Sequence, residues 1–300
     1  MLSGGLDSTV LASILRPELA ITVVGQNNAA DLGYSRKAAK MFCSKHIIIT
    51  VEVELLPELI EFVVHAMKTF DPIEIRNSIV LLAGIRCSKQ AGYESVMTGD
   101  GGDELFAGYN FLSRYYTNPV RLQEEVQRLW NVMHFSSLKL GKLENVQVET
   151  PFLDKSFAEF AKSIPVHCKI GMNMGRMWGK FILRKCFENT LGELSWRDKM
   201  ALEVGSGIEP AISTLVESTI DNSRYRNGVD EATKQQVKIR SKEHLYYYEL
   251  FLNHFEPPSY DRVTVASSAK CPDCHAYIAP DGRFCRTCGA FPVTPIPWLL

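Results

Sequence analysis

The sequence predicts an α/β fold, a parallel sheet with helices on both faces, with a small cysteine-rich appendage at its end. Three observations carry this. Short β-branched runs at residues 19–25, 46–51 and 95–98 alternate with stretches long enough for helices. Glycine pairs stand beside carboxylates in two loops, Gly4-Gly5-Leu6-Asp7 and Gly99-Asp100-Gly101-Gly102-Asp103, the second directly after a predicted strand. Four of the eight cysteines crowd into the last thirty residues. In a parallel sheet ligands bind beyond the carboxyl ends of the strands, where both glycine loops fall.

The first loop opens a helix. Gly4 and Gly5 let the backbone turn tightly, and Ser8 to Leu15 reads as an amphipathic run. Bare N–H groups and the positive dipole end then coincide, which makes an anion site suited to phosphate. A plain helix cap in a glycine turn is the simpler alternative. Two better-known phosphate loops are excluded. Gly175 to Gly179-Lys180 is one residue short of a kinase-type loop and ends on Phe181, and neither glycine loop has the three spaced glycines of a dinucleotide fold. A carboxylate beside phosphates needs a screening divalent cation, so Asp7 implies Mg²⁺.

The remaining elements follow in order. The strand at 19–25 leads into a polar turn, Gln26-Asn27-Asn28, and a helix around residues 35–41. A second strand spans 46–51, helices span about 57–70 and 77–90, and a third strand spans 95–98. Three glycines and three acids then fall within residues 99–104, followed by apolar Leu105-Phe106, which suits a buried anchor. A solvated acidic turn is the plainer reading. If the sheet is parallel, both loops lie on one edge, and Asp7 and Asp103 would share one Mg²⁺ between the β and γ phosphates of a nucleotide.

Composition narrows the class. With 46% hydrophobic residues, 300 residues bury one large domain plus an appendage, expected at 1–258 and 266–300 around Pro257-Pro258-Ser259. A net charge of −1 argues against bulk electrostatic binding of nucleic acid. The best apolar run, residues 79–85, stops at Arg86, far short of a membrane span, and no signal peptide is evident. Cytoplasmic localisation is expected. Cys271, Cys274, Cys285 and Cys288 form two Cys-x-x-Cys knuckles, with Gly282 and Gly289 placed for tight turns, and read as a structural Zn²⁺ ribbon. His275 would be redundant as a fifth ligand.

Two segments, Ser3-Gly4-Gly5-Leu6-Asp7-Ser8 and residues 99–109 (GDGGDELFAGY), together resemble the ATP-pyrophosphatase synthetase domain of class B asparagine synthetases, a group that also includes β-lactam synthetase. Collinear matches extend the likeness over residues 2–257: Thr69 to Arg76, Thr150-Pro151-Phe152-Leu153-Asp154, Lys180 to Arg184, Trp196-Arg197-Asp198-Lys199 and Lys242 to Tyr248. The resemblance implies an adenine nucleotide alpha hydrolase-like fold and an AMP-forming carbon–nitrogen ligase using ATP and Mg²⁺. By the same resemblance, Ser3, Gly4, Gly5 and Ser8 hold pyrophosphate, while Asp7 and Asp103 hold Mg²⁺. Leu2, Val24, Thr98 and Gly99 line the nucleotide pocket. Lys199 neutralises charge on the α phosphate or the tetrahedral intermediate; by itself it would read as a surface lysine. Asp100 stands where some members carry a glutamate that manages protons during amine attack. Arg76 is either a clamp on the substrate carboxylate or a helix-end cation.

Three departures qualify the likeness. Only Met1-Leu2 precede the first loop, so the central strand is expected to be a stub or the start truncated. No glutaminase domain with an N-terminal cysteine precedes it, so ammonia comes from solution or a partner subunit, or the amine is another one. The cysteine-rich tail is the third departure. Lys234, Lys238 and Lys242, with Arg240, read as a basic helix face whose dry side is Tyr246, Tyr247, Leu250 and Phe251; with the ribbon this leaves tRNA contact open but not favoured. Aspartate is the default small-molecule carboxylate. The rival readings are adenylation of a tRNA or carrier-bound acceptor, and a nucleotide-binding scaffold without turnover.

Overall fold

The computed structural model of the chain describes residues 1–25, 29–260, 269–278 and 282–293, so the expected polar turn at 26–28 lies outside the described residues. Two compact units form, each from separate stretches of chain: Met1–Thr50 with Ala83–Ser206, and Val51–Leu82 with Gly207–Leu300.

The first unit holds the parallel strands. β1 (Leu19–Val24) pairs with β2 (Lys45–Thr50), Leu19 lying opposite Lys45 and Val24 opposite Thr50. β3 (Ser95–Met97) pairs with β4 (Gln147–Glu149), also in parallel. The chain's first two residues lie between β1 and β3: Met1 N donates to Met97 O at 2.5 Å, and Leu2 N donates to Ile21 O at 2.8 Å. The Met1 ammonium and the Leu2 amide thus bridge the β3 and β1 strands. Thr22 Oγ1 adds a bond to Leu2 O at 2.6 Å.

Burial of β1 explains its β-branched composition, since Ala20 to Val24 are all buried. Leu6, Val10 and Leu11 of the helix Leu6–Leu15 share a core with Phe42, Phe106, Phe152 and Leu183. Phe106 thus anchors the second glycine loop, as its sequence suggested. β5 (Ile170–Asn173) and β6 (Arg176–Gly179) form an antiparallel hairpin. Its two-residue turn, Met174-Gly175, has φ of 51° and 71° at the two positions, the backbone that joins twisted strands most directly.

The second unit is helical, with the helices Leu56–Met67, Ile208–Thr219, Asn222–Lys234 and Lys242–Leu252. The helix expected at 77–90 starts earlier, at Pro72. Asp71 accounts for this, because its Oδ1 accepts from Ile73 N at 3.1 Å and Pro72 fits a first helical turn. The expected basic helix face does not form: one helix ends at Lys234 and the next begins at Lys242, so Lys234, Lys238 and Lys242 do not lie along one helix. Tyr247 and Phe251 are buried as expected. Arg76 is spent within this unit, its Nε donating to Glu243 Oε1 at 2.8 Å and its Nη1 lying 2.9 Å from Glu209 Oε1. Two carboxylates already occupy the guanidinium that a substrate clamp would need.

Candidate active site

The first loop is shaped by contact. Gly4 has φ of 73°, and a Cβ there would overlap the backbone of Tyr34 and Ser35 in the helix Ala30–Phe42. Only glycine meets both demands. Gly5 begins the helix Leu6–Leu15 without a side-chain cap, leaving the first-turn N–H groups available to a ligand. Ser3 Oγ accepts from Gly5 N at 3.2 Å and lies 3.2 Å from Ser8 Oγ. Ser3, Gly4, Gly5 and Ser8 therefore sit side by side around that helix start.

The second loop lies directly on the first. A Cβ on Gly99 would come within 3.0 Å of Asp7 Cβ, and one on Gly102 would overlap the Asp7 carboxyl. Close approach brings the two acids together. Asp103 Oδ1 is 2.8 Å from Lys180 Nζ, and that same ammonium pairs with Asp7 Oδ2. Lys199 Nζ donates to Asp103 Oδ2 at 2.8 Å and lies 5.5 Å from the centre of the Tyr109 ring. Asp7, Asp103, Lys180 and Lys199 thus make a compact set of two carboxylates and two ammonium groups.

Their electrostatics differ. Burial pushes the Asp103 carboxyl up, but Lys180 and Lys199 outweigh it and hold it down at about 2. Burial raises the Asp7 carboxyl; Lys180 opposes this and neighbouring Asp103 adds to it. Asp7 Oδ1 is buried and accepts no hydrogen bond among the described residues, whereas Asp103 Oδ1 is met by the Lys180 ammonium. Buried oxygens left this way cost free energy unless something else meets them. Two carboxylate oxygens beside a phosphate-type loop are a donor set that suits Mg²⁺, which binds one or two carboxylates together with phosphate oxygens.

The other expected residues surround this set unevenly. Leu2 and Val24 are buried, Val24 with Ala29 and Leu32, and Gly25 N at the strand's end donates to Ser206 O at 2.8 Å. Thr98 is buried, its N donating to Glu149 O at 3.0 Å. Asp100 is not in the Asp7–Asp103 set: its Oδ2 accepts from Thr98 Oγ1 at 2.8 Å and from Ser137 Oγ. Burial raises its carboxyl against the pull of these hydroxyls.

Residues 1–140 and 139–260 match the family model described as asparagine synthase. The chain belongs to the asparagine synthase family. Its relatives include asparagine synthetase B (glutamine-hydrolyzing) of Escherichia coli K12, 29% identical over 86% of this chain and 50% of the relative. The glutamine-hydrolyzing asparagine synthetases of Gallus gallus and Homo sapiens are each 26% identical, over 85% of this chain and 48% of theirs. The chain spans about half the length of these relatives.

Sequence reasoning missed several residues of this asparagine synthase family member. Lys180 falls in a failed phosphate loop and in a family-like segment, Lys180 to Arg184, neither of which gives it a role at the carboxylates, yet it bridges both. Arg197 Nη2 pairs with Asp31 Oδ1 in the interior of the first unit. Arg184 donates through Nη1 to the carbonyls of Ser195 at 2.6 Å and Arg197 at 2.9 Å, tying down the segment that precedes Lys199. The Arg184 signal was present in the sequence as a lysine-and-arginine pair flanking an apolar run, but partners so distant in sequence leave no local pattern.

The second unit carries a separate candidate metal centre. Sγ atoms of Cys271, Cys274, Cys285 and Cys288 all lie within 4.8 Å of one another and are buried. Cys271–Cys288 and Cys274–Cys285 are 3.8 and 3.6 Å apart. Tetrahedral Zn–S bonds of about 2.3 Å would set sulfurs about 3.8 Å apart, so the spacing suits that ion. Gly289 turns with φ of 73° after the second knuckle. The hairpin of β7 (Ala269–Lys270) and β8 (Tyr277–Ile278) joins the first knuckle to the rest. Phe70 N donates to Thr287 O at 2.8 Å, Thr69 Oγ1 to Arg286 O at 2.7 Å, and Arg240 to Cys288 O and Asp273. Arg240 and Lys238, expected on a basic face, instead hold the cysteine cluster in place through Asp273.

Proposed function

We propose that the chain activates a carboxylate with ATP and converts it to an amide, an asparagine synthetase-like ligation. The observation that carries this is the meeting of Asp7 and Asp103 beside an uncapped helix start. Bound there, Mg²⁺ supplies charge neutralisation on the phosphates, and Asp7 and Asp103 hold it. Ser3, Gly4, Gly5 and Ser8 bind the pyrophosphate portion with hydroxyl and amide donors. Leu2, Val24, Thr98 and Gly99 form the nucleotide pocket, the base resting against backbone at the end of β1. The substrate carboxylate attacks the α phosphorus and pyrophosphate leaves; an amine then attacks the acyl carbon and AMP leaves. Lys199 stabilises the negative charge that develops in both steps. Asp100, held by Thr98 and Ser137, shapes the loop and serves as a proton acceptor through water.

Aspartate is the proposed acceptor and ammonia the amine, free or delivered by a glutaminase subunit. The four cysteines hold structural Zn²⁺ in a small ribbon whose described residues are 269–278 and 282–293. Among the described residues no helix is long and apolar enough to cross a membrane.

The test is incubation of the purified protein with ATP, Mg²⁺, aspartate and ammonium, with AMP, pyrophosphate and asparagine measured together. All three products are expected in equal amounts. Asp103→Ala should stop AMP release while circular dichroism stays unchanged; wild-type rates in that variant would remove Asp103 from the role. AMP release only on addition of RNA or a carrier protein would replace the acceptor, and nucleotide binding without any AMP would replace the reaction.

A further inference from the structure

Lys180 is the most tightly built member of the Asp7–Asp103 set. Its side chain is only 5% exposed, and its ammonium contacts both carboxylates. The backbone that delivers it is constrained at every point. Lys180 has φ of 54°, a left-handed conformation unusual for a residue with a Cβ, and its N donates to Phe106 O at 3.0 Å. A Cβ on Gly179 would overlap Ala107 O, and one on Gly108 would overlap both Asp103 Oδ1 and Lys180 Cε. The β5–β6 hairpin and the second glycine loop are thus pressed together, which holds the Lys180 backbone beside the two carboxylates.

That place is the one a divalent cation would take. Without a nucleotide the set is already neutral, two carboxylates against Lys180 and Lys199. A cation added alone would meet a fixed positive charge a few ångströms away in a buried setting, where repulsion is poorly screened. Phosphates reverse the balance, because they bring enough negative charge to accept both the ammonium and the metal.

We propose that Lys180 is a built-in counter-ion that shuts the carboxylate pair to free divalent cations, so that the metal enters only together with the nucleotide's phosphates. This rests on the reading of Asp7 and Asp103 as the metal-holding pair. Lys180 thereby sets the order of binding: the ammonium leaves the carboxylates when a polyphosphate arrives to receive it. An enzyme arranged this way does not fill its site with Mg²⁺, Mn²⁺ or Ca²⁺ between turnovers.

The experiment compares the full wild-type chain with Lys180→Met, both loaded with zinc beforehand so that the cysteines do not contribute. Mn²⁺ binding is followed by electron paramagnetic resonance and by melting temperature, first without nucleotide and then with a non-hydrolysable ATP analogue. The wild type should show no Mn²⁺ binding below millimolar concentration until the analogue is added. Lys180→Met should bind Mn²⁺ alone at least tenfold more tightly, melt lower than zinc-loaded wild type when no further divalent cation is added, and regain stability on adding Mn²⁺. Lys180→Gln, which keeps polar bonding and drops the charge, replaces it if the methionine variant does not fold. Asp103→Asn combined with Lys180→Met should lose the gained binding. Equal Mn²⁺ affinity in wild type and Lys180→Met, whether both bind or neither does, overturns the role of Lys180. Asp103-dependent Mn²⁺ binding with the analogue keeps the metal-site reading alive in that case. Absence of Mn²⁺ binding in all proteins even with the analogue overturns the metal site itself, and the proposal with it.

Discussion

Gly102 has no room for a side chain because the Asp7 carboxyl lies against its Cα. Alanine at this position would add a methyl group where Asp7 Cγ now sits, without removing any polar group from the site. Gly102→Ala should therefore lower pyrophosphate release about 100-fold by displacing Asp7, a typical cost of a 1 Å misplacement. Its stability should fall by only about 1–3 kcal/mol. Parallel assays of pyrophosphate and thermal unfolding check this; near-normal turnover would mean that the position of Asp7 is not critical.

Metal removal should act first on a turn distant in sequence from the cysteines. Phe70 N is protected by Thr287 O, and Thr69 Oγ1 by Arg286 O. Stripping Zn²⁺ with a chelator should expose the Phe70 amide to hydrogen exchange together with residues 269–293. Amides of β1 and β2 should exchange as before. Metal analysis should give one zinc per chain, and Cys274→Ala should reproduce the exchange pattern without a chelator.

Arg197 and Asp31 form a buried pair whose partners cannot be removed singly. Arg197→Met leaves the Asp31 carboxylate buried without a counter-charge and should cost about 3–5 kcal/mol. The double substitution Asp31→Leu with Arg197→Met should recover most of this. Denaturant unfolding of Asp31→Leu, Arg197→Met and the double variant measures both quantities, and additive losses would show that the pair does not act as a unit.

Lys169 sets a pH dependence. It is buried, its Nζ has no hydrogen-bond partner among the described residues, and it lies 4.9 Å from the centre of the Trp130 ring. Burial lowers its ammonium from an ordinary value of 10.5 to about 8. The unfolded chain then holds this proton more tightly than the folded chain between those values. Folding stability from this group therefore rises as pH increases from about 8 to 10.5, and its penalty is constant and full below 8. Lys169→Met should stabilise the protein by about 1–3 kcal/mol at pH 7, with the gain shrinking toward pH 10. Melting curves at both pH values test the sign.

β1 was legible because burial demands β-branched residues and Ala20 to Val24 are all buried, and β3 falls within the run at 95–98. β2 was legible from its isoleucines although none of its residues is buried. The meeting of Asp7 with Asp103 was legible for a topological reason: loops at the same edge of a parallel sheet are neighbours. β4 to β6 were not foreseen. At three or four residues each, their pairing depends on partners and not on local composition. Lys199 was identified through family likeness alone, since a lysine after Trp196-Arg197 has no local signature. Lys180 and the Asp31–Arg197 pair escaped because an ion pair is visible in sequence only when its members are close along a helix or strand. Asp100 was placed by its company in the glycine loop, yet its side chain turns to Ser137, a direction that residue type does not encode.

The bonds from Thr69 and Phe70 to Arg286 and Thr287 span 217 and more positions of the chain. A ribosome builds the two ends of that contact at widely separated moments. Phe70 also packs on His244, Tyr248 and Phe251, so Val51–Leu82 completes its contacts only after residues 244–287 have been made. Zinc capture by the four cysteines, as proposed above, would complete these contacts, so scarcity of the ion during synthesis should show as aggregation of nascent protein before it shows as lost AMP release.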